Sequence, residues 1–351
     1  MSESHKILVF DGHNDTLLDL YMPSRGGGRS FFELSDKGHL DLPRAKQGGF
    51  GGGFFAIFVP RKKRAKPSAA DADPPPEPRP IEAAYAQKVT QGMIELLLQL
   101  ENEANGQLKI VRDSDEIGEC FASGALAAIL HFEGAEAINP DLSNLIDFYD
   151  LGLRSIGLTW SRSNAFAHGV PFEFPKSPDT GPGLTAAGKA LVKECNELGV
   201  MIDLSHLNEK GFWDVAALSD SPLVATHSGV HEICASTRNL TDKQLDAIGN
   251  SGGIVGINFH VGFLRPDGKG DADTPLSFIV DHVQYVADRI GIDHVALGSD
   301  FDGARMPAPL GDAAGLPKLI AALGDAGFDE ADLRKIGHGN WQRVLDLTWR
   351  N

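Results

Sequence analysis

Short apolar, β-branched runs recur along the chain at residues 6–10 (KILVF), 53–59 (GFFAIFV), 125–132 (ALAAILHF), 155–160 (SIGLTW), 200–205 (VMIDLS), 222–227 (PLVATH), 253–259 (GIVGINF) and 294–300 (HVALGSD). Each has the length of a buried strand rather than of a helix. Between them the spacing predicts helices over about 81–101, 141–151, 185–198, 209–219, 241–250, 275–290, 315–324 and 329–347. Strands that alternate with helices over the whole length predict a parallel sheet in βαβ units, and this number of runs favours an α/β protein of the (β/α)8 TIM barrel type, a single domain over residues 1–351 with inserted loops. A doubly wound open sheet is the competing architecture, but no dinucleotide fingerprint follows the first run. Gly26–Gly28 and Gly48–Gly53 lack phosphate-loop spacing and its lysine, and both read as turns and flexible loop.

One stretch breaks the alternation. Residues 61–80, RKKRAKPSAADADPPPEPRP, are a basic cluster followed by a proline-rich segment with too few apolar side chains to pack. They are expected to form a surface loop or a lid over the barrel mouth. Charge narrows the partners: 32 Lys and Arg against 48 Asp and Glu leave a net charge of −16, which repels phosphate backbones and anionic lipid. A small-molecule substrate is expected, with no nucleic acid and no membrane as partner, while a homo-oligomer stays open. The apolar stretch before Asp11 is too short for a signal peptide, and no later run reaches membrane-spanning length, so a cytoplasmic location is expected. Cys120, Cys195 and Cys234 have no paired spacing and read as reduced thiols.

In a barrel of this kind the chemistry sits where strands end. His13 and Asp15 follow the first run, Glu133 the third and His206 the fifth, the sixth closes on His227, and the eighth closes on Asp300. His13 and Asp15 are two apart, so an extended backbone aims both the same way. Singly, a strand-end histidine is usually a satisfied hydrogen-bonding residue. Together, imidazoles and carboxylates on converging loops predict a metal site for Zn, Mn or Fe, with Glu133 as the glutamate placed to bridge two ions. Ser205 and Ser228 flank ligand histidines, yet no GxSxG nucleophile elbow surrounds them. The remaining histidines read as structural, with His168 and His260 as candidates for the barrel mouth.

The segments DGHND (11–15), EGAEA (133–137), IDLSH (202–206), ATHS (225–228), CASTRN (234–239), GINF (256–259) and GSDFDG (298–303) resemble, in order and over nearly the whole chain, those of the membrane dipeptidase (renal dipeptidase) family of the amidohydrolase superfamily. The resemblance implies a (β/α)8 barrel that cleaves dipeptides and related small amides with two divalent metal ions, zinc foremost. By matching position, His13 and Asp15 would hold one ion, His206 and His227 the other, and Glu133 both. Arg238 would grip the free carboxylate of the substrate, Asp300 would be the catalytic proton carrier, and Asn258 would contribute to the substrate pocket. A water shared by two cations has its pKa lowered from about 15.7 toward about 7, which supplies the attacking hydroxide.

One position departs from the family pattern. Many members carry a histidine after the fourth strand in an LTH-type sequence, where it helps bind the substrate carbonyl; this chain reads LTW, with Trp160. Trp160 is expected either to pack in the core or to form an apolar wall of the substrate pocket. Two other functions stay open beside the dipeptidase: a hydrolase of N-acyl-amino acids or other small amides on the same metals, and a metal-bound binding protein without catalysis.

Overall fold

A computed structural model describes residues 7–62 and 80–349. The 61–80 loop expected from sequence lies, save for its ends, outside the described residues. The strands are β1 (Val9–Asn14), β2 (Phe50–Phe58), β3 (Leu108–Ile110), β4 (Leu126–Glu133), β5 (Leu153–Gly157), β6 (Met201–Asp203), β7 (Val224–Ser228), β8 (Ile254–Ile257) and β9 (Val295–Leu297). They pair in parallel in the order β1-β2-β4-β5-β6-β7-β8-β9, with β3 added beside β4. Main-chain hydrogen bonds close the ring above the last strand: Asp300 N–H donates to the His13 carbonyl (2.9 Å) and Asp15 N–H to that of Phe301 (2.8 Å). The result is a nearly closed (β/α)8 TIM barrel.

Helices flank the strands where the periodicity places them, from Ala83–Glu103 and Ala186–Leu198 to Ser277–Ile290 and Leu316–Asp325. Short polar side chains start several of them: Asp113 accepts from Glu116 N–H, Thr185 from Gly188 N–H and Asn208 from Gly211 N–H. The region 329–347 is not one regular helix. It runs as Glu330–Arg334, a π-turn at Lys335–Gly339 and Asn340–Thr348.

Two expectations need correction. The first strand is not confined to 6–10 but continues through Asp11, His13 and Asn14, all buried, because Asp11 pairs with Ser299 and Asn14 with the Phe54 carbonyl inside the barrel. The glycines of 48–53 are not a flexible loop. Gly48 and Gly49 end the helix Leu42–Gly48, and Gly51–Gly53 lie inside β2.

The lower half of the barrel is filled by Phe10, Phe54, Met201, Val224, Ile254 and Ala296 around Trp341, which rises from Asn340–Thr348. Its indole N–H donates to the Leu297 carbonyl (3.2 Å) and its ring packs on Phe54. The strands make room for it with glycine. A Cβ at Gly12 would stand 2.7 Å from the indole, and one at Gly256 3.0 Å. Trp341→Ala should therefore lower stability by about 3–5 kcal/mol, read as the urea midpoint; a midpoint within experimental error of the wild type would contradict the plug.

His282, on Ser277–Ile290, ties two loops at the barrel mouth. Its Nδ1 accepts from Val230 N–H (2.9 Å), so Nε2–H donates to the Leu264 carbonyl (3.0 Å). Burial, opposed by the Leu264 bond, lowers its pKa to about 4, and protonation would turn the Nδ1 acceptor into a donor facing a donor. The folded state then binds fewer protons than the unfolded state below about pH 6.5, so stability is full above that pH and falls as pH drops toward 4. The loss approaches about 1.4 kcal/mol per pH unit for this one group. A His282→Gln variant should show a shallower stability slope from pH 6.5 to 4; identical slopes would remove His282 from the balance.

Candidate active site

Closure of the ring sets the geometry at the C-terminal mouth. β1 delivers His13 and then Asp15, and the bonds above β9 bring Asp300 alongside them. Gly303 permits the approach: a Cβ there would lie 2.1 Å from Asp15 Oδ2 and 2.3 Å from Asp300 Oδ1. His206, Asp300 and Asp302 all have left-handed backbones, with φ of 67°, 63° and 65°, a conformation that costs about 1–2 kcal/mol per residue and needs surrounding bonds to hold it. Asp302 provides some of these. It accepts from Thr16 Oγ1 (2.8 Å), Arg29 Nη2 (2.8 Å) and His39 N–H, which pins the 22–41 segment over the barrel and turns its carboxylate away from the mouth.

Five of the predicted residues meet. Glu133 Oε1, at the end of β4, lies 3.0 Å from His206 Nε2, 3.7 Å from His227 Nε2 and 3.8 Å from His13 Nε2, and His13 Nε2 lies 3.6 Å from Asp15 Oδ2. The tips of His206 and His227 are 3.0 Å apart, and the rings of His13 and His227 stack. All five side chains are buried. Ligand atoms of His13, Glu133 and His227 lie within 4.8 Å of one another, as do those of His13, Asp15 and Asp300.

Burial dominates the electrostatics. It pushes the Glu133 carboxyl well above the usual range, opposed by His13, and holds His206 and His227 well below the ordinary imidazole range, with Arg238 and His13 adding to it. His13 goes the other way: against its own desolvation, the carboxylates of Glu133, Asp15 and Asp300 push it up to about 10. Burial thus works against charge on Glu133, His206 and His227, while the neighbouring carboxylates favour it on His13. The donor set fits divalent cations on its own geometry, since His13 Nε2 and Asp15 Oδ1 are buried without hydrogen-bond partners.

The cluster floors a cavity of about 490 Å³ lined by Asp15, Glu133, His206 and Asp300 on one side and by Trp160, Phe172, Phe263, His260 and Arg305 on the other. Trp160 is half-buried rather than core. Its ring meets Phe58 and Phe172 edge-on, with the Arg162 guanidinium, itself bound to Glu136 (2.6 Å), behind it. Arg238 and Asn258 lie behind the lining. The Arg238 guanidinium donates to the His227 carbonyl (2.9 Å) and Ser228 Oγ (3.4 Å) and sits over Phe263, with Nε unpartnered. Asn258 is spent on main chain and on Asp300: Nδ2 donates to Asp300 Oδ2 (3.0 Å), and Oδ1 accepts from His260 N–H (2.6 Å). His260 reaches the cavity, whereas His168 pairs with Ser163 outside its lining. Sequence reading missed Phe172 and Arg305, which lie in loops, and Phe263, which ends the single turn Val261–Phe263; none has a periodicity around it.

A parallel barrel with a buried histidine–carboxylate cluster at its C-terminal mouth defines the class: a (β/α)8 barrel with a candidate metal centre. Within that class the chain belongs to the membrane dipeptidase family (peptidase family M19), whose sequence pattern matches residues 4–349. It is therefore a hydrolase of the metallo-dipeptidase kind. A metallo peptidase from Rhodobacter sphaeroides, solved liganded with a phosphinate mimic of the dipeptide L-Ala-D-Ala, is 51% identical and superposes with a TM-score of 0.91 over 98% of this chain and 100% of its own. An uncharacterized protein in the pqqA 5′ region of Klebsiella pneumoniae is 50% identical over 73% of this chain and 94% of its own. Dipeptidase verJ of Clonostachys rogersoniana is 33% identical over 88% and 75%. Among the described residues no helix is long and apolar enough to cross a membrane.

Because Glu133 touches all three imidazole tips, Glu133→Ala should remove the anion common to the whole cluster. Elemental analysis after dialysis should show less divalent metal per chain in the variant than in the wild type. Unchanged metal content in that variant would contradict a shared ligand.

Proposed function

We propose that the protein hydrolyses the amide bond of dipeptides that carry a free C-terminal carboxylate, using two divalent cations, zinc foremost. The observation that carries this reading is the convergence of His13, Asp15, Glu133, His206 and His227 on one point at the floor of a cavity of dipeptide size. His13 and Asp15 would hold one cation, His206 and His227 the other, and Glu133 would contribute to both. When bound, the cations supply a water of lowered pKa and polarise the scissile carbonyl. The dipeptide mimic held by the Rhodobacter sphaeroides relative supports the substrate class.

The chain's own residues then divide the work. Asp300 is the proton carrier: Asn258 fixes its Oδ2, and the other oxygen takes the proton of the attacking water and returns it to the leaving amine. Arg238 supplies fixed positive charge for the substrate carboxylate. Its Nη1 and Nη2 bonds leave donors of its five N–H groups unused, Nε among them. Trp160 forms an apolar wall and can neither accept a proton nor match a histidine's two ring nitrogens, so its part is to shape the pocket rather than to stabilise charge.

Turnover of a dipeptide panel beside C-terminally amidated and N-acetylated analogues tests this. Free dipeptides should be cleaved and amidated ones poorly, and Arg238→Lys should cost about 1.5 kcal/mol, roughly tenfold in kcat/KM, without loss of metal. Equal rates on amidated substrates would overturn the role of Arg238, and faster cleavage of N-acetylated substrates would favour an acyl-amino-acid hydrolase.

A further inference from the structure

Behind His227 runs a chain of hydrogen bonds whose direction is fixed from one end. Asp203 closes β6, and its Oδ1 accepts two main-chain donors, Ser205 N–H (2.9 Å) and Thr226 N–H (2.8 Å). Its Oδ2 lies 2.6 Å from Thr226 Oγ1, which in turn lies 2.8 Å from His227 Nδ1. A threonine hydroxyl has one proton. Given to the carboxylate, that proton leaves Thr226 Oγ1 only as an acceptor toward His227, so Nδ1 must carry the ring proton and Nε2 must be bare. Nε2 is the nitrogen 3.7 Å from Glu133 Oε1 and 3.0 Å from His206 Nε2. On the other histidine, Nδ1 faces Ser161 Oγ (2.8 Å), and among the described residues no carboxylate sets the direction of that hydroxyl.

We propose that Asp203 and Thr226 are positioning residues that lock His227 in the Nδ1–H tautomer, so that its Nε2 lone pair is presented to a divalent cation before any cation arrives. The inference rests on the metal-binding reading given above. It adds a division between the two imidazoles of that half of the site: His227 is pre-set, and His206 adapts. A ligand held in the required tautomer binds without first moving a proton, and such outer bonds typically contribute 10–100-fold in metal affinity.

Asp203→Asn reverses the chain with little change of shape. The two main-chain N–H donors keep the amide carbonyl where Oδ1 was, so the amide NH₂ faces Thr226 Oγ1. The hydroxyl is then turned to donate to His227 Nδ1, which forces the proton to Nε2. Thr226→Val removes the relay, and Thr226→Ser keeps it. The readouts are the ring-nitrogen NMR shifts of ¹⁵N-histidine-labelled, metal-free protein and zinc affinity measured against a competing chelator, with melting temperature of the metal-free protein as the control for folding. The wild type and Thr226→Ser should show His227 as Nδ1–H. Asp203→Asn should show it as Nε2–H, with zinc affinity at one of two sites lowered roughly 10–100-fold. Thr226→Val should show a mixture and an intermediate loss. His227 as Nε2–H in the metal-free wild type, or an unchanged tautomer in Asp203→Asn, would overturn the proposal. Failure of wild-type protein to bind zinc with the tautomer as expected would instead count against the metal-binding reading.

Discussion

Taking the Glu133 carboxylate out of water is the constraint around which the mouth of this barrel is organised. An ionised carboxylate in a protein interior carries a penalty of several kcal/mol unless positive charge meets it. Here burial disfavours charge on Glu133 and on the two imidazoles of His206 and His227 beside it, and only at His13 do the surrounding carboxylates outweigh burial and favour the charged form. A cluster with that balance is satisfied by cations, and His13 shows where the missing charge is felt. The left-handed backbones of His206 and Asp300, the glycine at 303 and the bonds that close β1 against β9 all serve to bring those groups together.

The two ends of the barrel divide stability from chemistry. Below, Trp341 and its apolar neighbours fill the interior, and glycines at 12 and 256 open the space they need. Above, the same strands turn polar. β1 passes from Phe10 under the site to His13 within it, and β7 from Val224 to His227. The apolar half therefore works as a rigid base on which strained and charged residues are held, with His282 and Asp302 fastening the loops over them.

Much of this was legible in the sequence because in a barrel strand ends converge: a histidine or carboxylate at the close of each apolar run is a spatial statement as well as a linear one. The expected histidines and acids come together around Glu133 for that reason. What was hidden has physical causes. The strand β1 outlasts its apolar run, since Asp11 and Asn14 are buried by pairing with Ser299 and with the Phe54 carbonyl. Gly51–Gly53 read as loop but serve as strand where backbones approach closely, and Thr16–Tyr21 and Pro23–Gly26 are too short to show a helical period. Arg238 and Asn258 were placed in the pocket by motif, yet their burial behind Phe263 and Asp300 is a tertiary fact. The Asp203–Thr226 contact joins small polar residues on neighbouring strands, and no linear pattern announces it.

The most direct measurement is anomalous diffraction at the zinc absorption edge from crystals of the zinc-loaded protein. Two peaks are expected at the barrel mouth, one beside His13 and Asp15 and one beside His206 and His227, with Glu133 adjacent to both. A single peak, or peaks away from Glu133, would contradict the shared-carboxylate site.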